Sequence, residues 1–254
     1  MIHVAVIGLG QIGGSIVMSL RKRNSPYHIT GIDMSRKRLK LLKPLLDQAS
    51  IDVRNSRSSD LVVLCMHFED IRRFLMRSAG NQLLLDVCSG KEKLLQIADR
   101  RNLRFVGGHP LAGNEFQGEK GWRDDLFVNA PFFLCPAKNV SPKDVRLARK
   151  FVRDLGSKPV PVDPALHDRY LAVTSHLPAL LSGLLVEMAR DVPHSFRGPG
   201  FRSMTRLAST SPELLETFRA SNDKNIRQAA AHLRKLLGHQ TVTSQIIVKK
   251  TKTF

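Results

Sequence analysis

The sequence predicts an α/β fold in its first part and an all-helical fold in its second part. Short apolar runs alternate with segments of helical spacing as far as Val162, a pattern typical of a doubly wound parallel sheet. After Val162 no strand-like alternation follows until the C-terminal tail. We therefore predict two domains, residues 1–162 around the sheet and residues 163–254 built from helices.

The first predicted strand, Val4 to Ile7, runs directly into a G-x-G-x-x-G motif. In this motif Gly8 permits a tight turn, Gly10 lets a pyrophosphate approach the backbone, and Gly13 lets a helix pack closely on the strand. The motif alone is weakly specific, but the order strand, motif, helix indicates a dinucleotide-binding domain of the Rossmann type. The cofactor-binding candidates in this stretch are Gly8, Gly10, Gln11, Ile12 and Gly13.

The second predicted strand, His28 to Asp33, ends in an acid. A carboxylate at that position accepts hydrogen bonds from the adenosine ribose and repels a 2′-phosphate, so Asp33 favours NAD over NADP. Arg36 is a further candidate, which could cover the adenine. The alternatives are a helix N-terminal acid before Ser35 and a solvated arginine.

Further apolar runs continue the alternation and complete the predicted sheet. They are Asp60 to Met66, Gln82 to Val87, Leu103 to Val106, Phe132 to Cys135 and Lys158 to Val162, with a capped helix from Ser141 to Gly156 before the last. Ser89 follows one of these strands at its carboxyl end, where open α/β sheets bind ligands. An ordinary helix N-cap is the alternative for Ser89.

A loop with the sequence Gly107-Gly108-His109-Pro110 is predicted to follow the strand that ends at Val106. The glycine pair there would let the backbone approach a ligand, and Pro110 would help to hold the ring of His109. A histidine so held can take up a proton near neutral pH. Taken alone, the position favours a hydrogen-bonded structural histidine at a strand-to-loop corner, and only the rest of the sequence favours a functional one.

The second half of the chain is dominated by one predicted helix, Pro164 to Arg190, in which Pro178 should introduce a kink. From Tyr170 to Met188 this helix is apolar nearly all round, which indicates burial against another subunit or in a helical core. A further helix is predicted from Ser211 to Gly238.

Composition limits the classes of partner. The chain has 40 Lys and Arg against 22 Asp and Glu, a formal charge of +18. These charges are spread along the chain without interleaved aromatic residues, which favours a solvated basic surface over specific nucleic-acid recognition. The three cysteines lie far apart and give no metal spacing. The separated cysteines suit a reducing cytoplasm, so we predict a cytoplasmic protein. We interpret the N-terminus as a strand and not a signal peptide, and we expect no apolar run to span a bilayer, so we predict no membrane partner.

Several motifs occur in an order that resembles the prephenate and arogenate dehydrogenases, the oxidoreductases of tyrosine biosynthesis. They are Gly8 to Ser15, Asp86 to Lys91, Gly108 to Glu115, His167-Asp168, Ser175 to Pro178 and Gly200 to Ala208. The resemblance implies a Rossmann domain followed by a helical domain that forms a homodimer. It also implies oxidative decarboxylation of a small-molecule substrate, prephenate or arogenate, with NAD or NADP and without a metal. Of the two cofactors, Asp33 favours NAD.

The resemblance also implies roles for individual residues. His109 would accept the proton of the ring hydroxyl while hydride leaves for the nicotinamide, and Ser89 would orient His109 or that hydroxyl. Arg206 would hold a substrate carboxylate, for which the guanidinium fork is suited. His176 would line the pocket and Glu115 would lie at its mouth. The alternatives are a buried helix histidine at His176 and an ion-pair residue at Arg206.

The chain departs from the family pattern at several positions on the substrate side. Ala179 replaces a second histidine, Ser203 replaces an aspartate, and Cys88 replaces a glycine. Leu214 and Leu215 occupy the place where the family usually has a tryptophan. Two other classes therefore remain open. A β-hydroxyacid dehydrogenase would need a lysine in the long helix, which has none from residue 163 to 190. A non-catalytic nucleotide-binding protein would not bring His109 and Arg206 to one cleft.

Overall fold

Eight strands form one sheet in the computed structural model, which describes residues 1–79, 81–114 and 116–238. The strand order is β3-β2-β1-β4-β5-β6-β7-β8. The strands are β1 (Ile2–Ile7), β2 (Tyr27–Ile32), β3 (Gln48–Ser50), β4 (Leu61–Leu64), β5 (Leu83–Asp86), β6 (Phe105–Pro110), β7 (Pro131–Pro136) and β8 (Lys158–Pro161). The first six strands have the order 3-2-1-4-5-6, which is that of dinucleotide-binding domains.

The sheet is parallel from β3 to β6, as predicted, but β7 pairs antiparallel with β6, and β8 runs parallel to β7. A parallel neighbour needs a crossover, usually through a helix, to return the chain to the starting edge. Between β6 and β7 the described residues form only one short 3₁₀ turn, Gly118–Gly121. The prediction of a wholly parallel sheet is therefore wrong at β7.

Five helices cover the sheet: α1 (Gln11–Lys22), α2 (Arg36–Leu42), α3 (Phe68–Arg77), α4 (Glu92–Arg100) and α5 (Pro142–Asp154). Fully buried side chains of β1 and β4 pack in one cluster with Ile16 and Leu20 of α1 and Phe151 of α5. Ser141 caps α5 in a capping box with Asp144, as the sequence indicated. Because both faces are covered, the central strands are apolar throughout.

The glycine pair lies inside β6 and does not form the predicted loop. A Cβ on Gly108 would collide with the backbone carbonyl of Asp86 in the neighbouring strand, and a Cβ on Gly107 would come within 3.1 Å of Cδ of Lys91. The absence of side chains at this pair makes room for β5 and for the stem of Lys91. The prediction that the pair admits a ligand is wrong, because protein atoms already occupy that space.

The chain divides into two compact units, residues 1–167 and residues from 168 onward. The helices at and beyond this division are α6 (Pro164–Leu171), a π-helical segment (Ala172–His176), α7 (Leu177–Met188), α8 (Pro199–Met204) and α9 (Pro212–Gly238). α9 bends at Asn222, where the backbone is not helical. The predicted long helix is present, and its π-helical segment leads directly into Pro178 in the first turn of α7.

The continuous helix from Pro164 to Met188 has 25 residues and a mean hydropathy of 1.4 in its most apolar window, of which 28% is buried. By length and composition it could cross a membrane, so the expectation that no segment reaches this limit is wrong. The helix contains no uninterrupted apolar run of that length and reaches the limit only with a few polar residues included. Apolar helices packed inside soluble proteins have the same composition.

Candidate active site

The three glycines of the G-x-G-x-x-G motif have different surroundings. Gly8 has a φ of +89°, and a Cβ there would collide with the carbonyl oxygen of Cys65. A Cβ on Gly13 would collide with the carbonyl oxygen of Gly8, so this glycine permits the close packing of α1 on β1. No described atom lies within 4 Å of a Cβ built on Gly10, the N-cap of α1. The protein itself therefore leaves open the space at Gly10 where a phosphate would approach a helix N-terminus.

The segment that follows β6 is attached to this turn. Nε2 of Gln11 lies 2.5 Å from Oδ1 of Asn114 and 2.7 Å from the carbonyl oxygen of Phe116. The indole Nε1 of Trp122 donates to the carbonyl oxygen of Gly10 at 2.9 Å. The side chain of Gln11 thus bonds to the segment that follows β6, and the partly buried side chain of Ile12 packs against the core. Both candidate side chains therefore contact other residues of this chain.

Asp33 follows β2 and is almost fully buried. Its Oδ2 accepts a hydrogen bond from the backbone N–H of Leu9 at 2.6 Å, and its Oδ1 accepts one from Ser35 at 2.7 Å. The contact with Ser35 is the one that the helix-terminus alternative predicted. The contact with Leu9 reaches back into the glycine motif, so Asp33 also fixes the turn. Arg36, at the start of α2, is exposed.

A buried ion pair joins the end of β5 to β6. Nζ of Lys91 lies 2.5 Å from Oδ2 of Asp86 and 2.6 Å from the carbonyl oxygen of Gly108, and Oδ1 of Asp86 accepts from the N–H of Gly108 at 2.9 Å. Both side chains are fully buried. Burial raises the pKa of Asp86, against the opposing effect of Lys91. The pair fixes the backbone of Gly108, the residue before His109.

Ser89 lies in the loop between β5 and α4 and is not a helix cap, because α4 begins at Glu92 with Lys91 as its N-cap. The neighbouring Cys88 donates its N–H to Asp86, so the buried ion pair holds this loop as well. Oγ of Ser89 is buried and has no hydrogen-bond partner within the described part of the chain. An unpaired buried hydroxyl is unfavourable, and a ligand atom would satisfy it.

Cys88 stands where the family pattern has a glycine. Burial raises the pKa of its thiol to about 11. The thiol is therefore protonated at neutral pH and is a poor nucleophile. Of these two neighbouring side chains, the hydroxyl of Ser89 is therefore the one suited to bind a ligand.

His109 lies on β6 opposite Phe133 of β7 and is nearly buried. Its Nδ1 lies 3.0 Å from Nε2 of His167, and the two rings meet edge to face. His167 is a buried residue of α6, and from the sequence it is distinguished only as part of the His167-Asp168 motif. Its contact with His109, 58 positions earlier, could not be read from spacing. The pair fixes the orientation of the His109 ring.

His176 is fully buried in the helical unit. Its ring stacks on Phe218 with centroids 4.3 Å apart, and its Nδ1 lies 3.2 Å from Nδ2 of Asn222. This position matches the alternative of a buried helix histidine. These contacts show how His176 packs within the helical unit, and its expected role in lining a pocket stays a prediction.

Arg206 is exposed at the start of the 3₁₀ turn Arg206–Ser209. It makes no ion pair with any residue of the described ranges, which differs from the ion-pair alternative. Its guanidinium has the geometry to bind a carboxylate in bidentate form. Glu115, the remaining candidate, lies outside the described residues.

Three positions that depart from the family pattern lie in the helical unit. Ala179 and Leu215 belong to the apolar cluster around Phe218, whereas Ser203 is exposed. In the described part of this unit, Ala179 therefore packs against apolar side chains.

The first unit collects several candidates at one edge of the sheet. The glycine turn, Asp33, the loop of Ser89, and His109 follow or end β1, β2, β5 and β6, which all run in the same direction. The carboxyl ends of parallel strands share one edge, and ligands bind there in open α/β sheets. This arrangement can hold a dinucleotide beside a fixed imidazole and a buried hydroxyl.

Comparison with known proteins agrees with these two units. Residues 16–160 match the nucleotide-binding domain of prephenate dehydrogenase, and residues 163–250 match its dimerization domain. The prephenate dehydrogenase of Bacillus subtilis is 29% identical to this chain. The matched region covers 83% of this chain and 62% of the relative.

Two solved structures share the fold over nearly the whole chain. The prephenate dehydrogenase of Aquifex aeolicus in complex with hydroxyphenyl propionate and NAD⁺ is 26% identical with a TM-score of 0.86, covering 100% of this chain and 93% of that one. The arogenate dehydrogenase of Synechocystis is 27% identical with a TM-score of 0.77, covering 93% of this chain and 89% of that one. The motifs, the fold and both domain matches show that this chain belongs to the prephenate dehydrogenase family.

Proposed function

We propose that this protein is an NAD-dependent dehydrogenase that oxidatively decarboxylates prephenate or arogenate in tyrosine biosynthesis. The observation that carries the proposal is the His109–His167 pair at the carboxyl edge of a dinucleotide-binding sheet. Membership in the family, and the complex of the Aquifex aeolicus relative with NAD⁺ and hydroxyphenyl propionate, support the same reaction.

The residues of the glycine turn fit a dinucleotide. The open space at Gly10 and the N-terminus of α1 would hold the pyrophosphate, with backbone N–H groups as donors. Asp33 would accept hydrogen bonds from the adenosine ribose and disfavour a 2′-phosphate, which makes NAD the cofactor in preference to NADP. When bound, the nicotinamide supplies the acceptor for the hydride.

His109 would act as the general base. In the tautomer in which Nδ1 donates to His167, the lone pair of Nε2 can accept the proton of the substrate hydroxyl. The Ser89 hydroxyl would donate a hydrogen bond to the same substrate oxygen, which would satisfy its buried Oγ. Loss of CO₂ then gives an aromatic ring, so these side chains mainly need to position the substrate and remove one proton.

Arg206 would bind a carboxylate of the substrate. Its exposed guanidinium has no ion-pair partner among the described residues, so no competing carboxylate must be displaced. Prephenate and arogenate differ in a keto or an amino group, and both carry the carboxylates that Arg206 would recognise.

The helical unit would form a homodimer. It matches the family's dimerization domain, and its long helix exposes Tyr170, Val173, Leu184 and Met188 by more than half. Apolar side chains of this number on one helix are unfavourable in water unless another surface covers them.

The test is the reduction of NAD⁺ and NADP⁺ by the purified full chain with prephenate and with arogenate in parallel. We expect formation of reduced nicotinamide with at least one substrate and a higher kcat/KM for NAD⁺. The control is Glu187→Gln, which removes an exposed carboxylate of α7 paired with Arg190 and should leave the rate unchanged. Absence of turnover with both substrates, in a folded protein that binds NAD⁺, would contradict the proposal.

A further inference from the structure

The first residues of α2 make cofactor choice ambiguous. Arg36, Lys37 and Arg38 lie shortly after Asp33, which follows β2 and is the acid expected to contact the adenosine ribose. Cations beside that position are the usual means of binding the 2′-phosphate of NADP. Asp33 therefore favours one dinucleotide while three adjacent cations favour the other.

Glu119 interacts with two of these cations. Its Oε1 lies 2.5 Å from Nζ of Lys37, and its Oε2 lies 3.5 Å from Nε of Arg38. Arg38 also contacts a second carboxylate, since its Nη1 lies 3.6 Å from Oδ2 of Asp33. Arg38 is thus held between two carboxylates, and Lys37 is paired with one of them.

The carboxylate of Glu119 stays charged over the whole neutral range. The hydrogen bond from Lys37 and further contacts, including that from Arg38, lower the pKa of Glu119 to about 2. Its side chain is only about a quarter exposed, whereas that of Lys37 is largely exposed. The pair is therefore accessible to a phosphate, which would compete with Glu119 for the same cations.

The segment that carries Glu119 is anchored independently of these ion pairs. Gln11 binds Asn114 and Phe116 before the turn, and Trp122 binds the carbonyl oxygen of Gly10 after it. Gly118 has a φ of +58°, and a Cβ there would lie 3.2 Å from Nη2 of Arg38. These contacts bring Glu119 to α2 from 81 residues away in the chain.

We infer that Glu119 is a specificity-determining residue, which occupies Lys37 and Arg38 and withholds them from the 2′-phosphate of NADP. The inference rests on the proposed function, because it assumes that the adenosine ribose lies at Asp33. Asp33 supplies the attraction for NAD, and Glu119 removes the competing attraction for NADP. Specificity of this kind depends on suppressing the wrong ligand as much as on binding the right one.

The test compares dissociation constants for NAD⁺ and NADP⁺ in the wild type and in Glu119→Gln. Trp122 is the one tryptophan of the chain and bonds to the glycine turn, so its fluorescence reports binding without any turnover. We expect Glu119→Gln to lower the ratio Kd(NADP⁺)/Kd(NAD⁺) on the order of 10-fold, because freed cations form charge-assisted hydrogen bonds with phosphate. The Kd for NAD⁺ should change less than about twofold.

Two further variants identify the cause. Lys37→Met combined with Glu119→Gln should reverse much of the gain for NADP⁺, since it removes one of the released cations. Lys37→Met alone should leave the ratio near that of the wild type, because Lys37 is already occupied. Glu187→Gln is the matched control, because it removes the same group from an exposed pair between Glu187 of α7 and Arg190 and should not change the ratio.

The outcomes distinguish the role of Glu119 from the dehydrogenase function on which it rests. If Glu119→Gln keeps the wild-type ratio, or if Lys37→Met alone weakens NADP⁺ binding strongly, the role of Glu119 is refuted while the dehydrogenase proposal stands. Equal weakening of both dinucleotides would mean that Glu119 only holds its segment in place, which also refutes the inference. If the wild type binds neither dinucleotide, the proposed function itself fails.

Discussion

At the scale of single residues, the candidate base is defined by its contacts with side chains from other elements. His109 is held by His167 at 3.0 Å, and the backbone before it is held by the buried pair of Asp86 and Lys91. An imidazole with a fixed ring orientation can present one nitrogen to a substrate hydroxyl without paying the entropy of ordering at each turnover. This arrangement leads to predictions for both histidines.

His109→Asn keeps a hydrogen-bonding side chain but cannot take up a proton. We expect kcat to fall by a factor on the order of 10²–10⁴ while KM for the substrate changes little. In the wild type, kcat should fall as the pH is lowered, because protonation of the imidazole removes the lone pair that accepts the proton. Steady-state kinetics across pH test both statements, and a variant with full activity at every pH would require another base.

We propose that His167 acts on the reaction through His109, as a positioning residue. His167→Leu should lower kcat by about 10–100-fold and change the pH profile, as is typical when a partner that orients a catalytic side chain is lost. His167→Gln places an amide nitrogen near the position of Nε2 and should restore part of the rate. If both variants lose activity equally with an unchanged pH profile, His167 serves packing alone.

Arg206→Gln removes the guanidinium but keeps the length of a polar side chain. We expect KM for the substrate to rise by about tenfold or more with a smaller effect on kcat, because a carboxylate contact of this kind contributes to binding. Arg202→Gln is the matched control, since Arg202 is exposed on the preceding helix and bonds to the carbonyl oxygen of Arg197. A fall in kcat with unchanged KM would contradict the assignment.

At the scale of elements, polar contacts tie the helices to the strands. Asp144 closes the capping box of α5 and also binds Arg104, which precedes β6, with Nε of Arg104 3.1 Å from Oδ2. The hydrogen bond from Arg104, together with those from Ser141, lowers the pKa of Asp144. The ionised carboxylate therefore stabilises the folded state.

This shift predicts how stability depends on pH. A carboxyl group with a lowered pKa in the folded state contributes stability above its unfolded pKa of about 3.9, and the contribution is lost as pH falls through the lower folded value. Asp144→Asn should reduce the free energy of unfolding by about 1–3 kcal/mol at neutral pH. In urea unfolding, the difference from the wild type should shrink below about pH 4, and a constant difference would exclude the charge as its cause.

At the scale of the whole molecule, the long helix presents more apolar surface than a single chain covers. Leu184 is 57% exposed and Met188 is 81% exposed, one turn apart on α7. Because the chain matches a dimerization domain, we propose that a second copy of the chain covers this surface. Light scattering at micromolar concentration should then give twice the chain mass of 28.4 kDa.

Leu184→Asp places a charge on that surface and should shift the protein toward the monomer, because an unpaired carboxylate in an apolar interface is costly. The loss should be at least tenfold in dimer affinity, measured by the dependence of molar mass on concentration. Met76→Asp makes the same kind of change at an exposed apolar position of α3 and should leave the mass unchanged. A Leu184→Asp variant that remains fully dimeric would show that the interface lies elsewhere on the chain.

The sequence by itself determined the features that depend on neighbouring residues. The alternation of strands and helices follows from apolar periodicity. The glycine turn follows from backbone sterics at Gly8 and Gly13, and α5 begins where Ser141 can cap it. These are short-range effects, so their signals lie within one segment of the chain. The three-residue strand β3 escaped prediction because so short a run carries no periodicity.

The tertiary structure decided which distant segments meet. The reversed direction of β7, the contact of His167 with His109 and the contact of Glu119 with Lys37 join residues tens of positions apart. The glycine pair of β6 was misjudged for the same reason, since only the packed sheet shows that Lys91 and β5 fill its space. Such partners are selected by the packing of whole elements, and local periodicity carries no information about them.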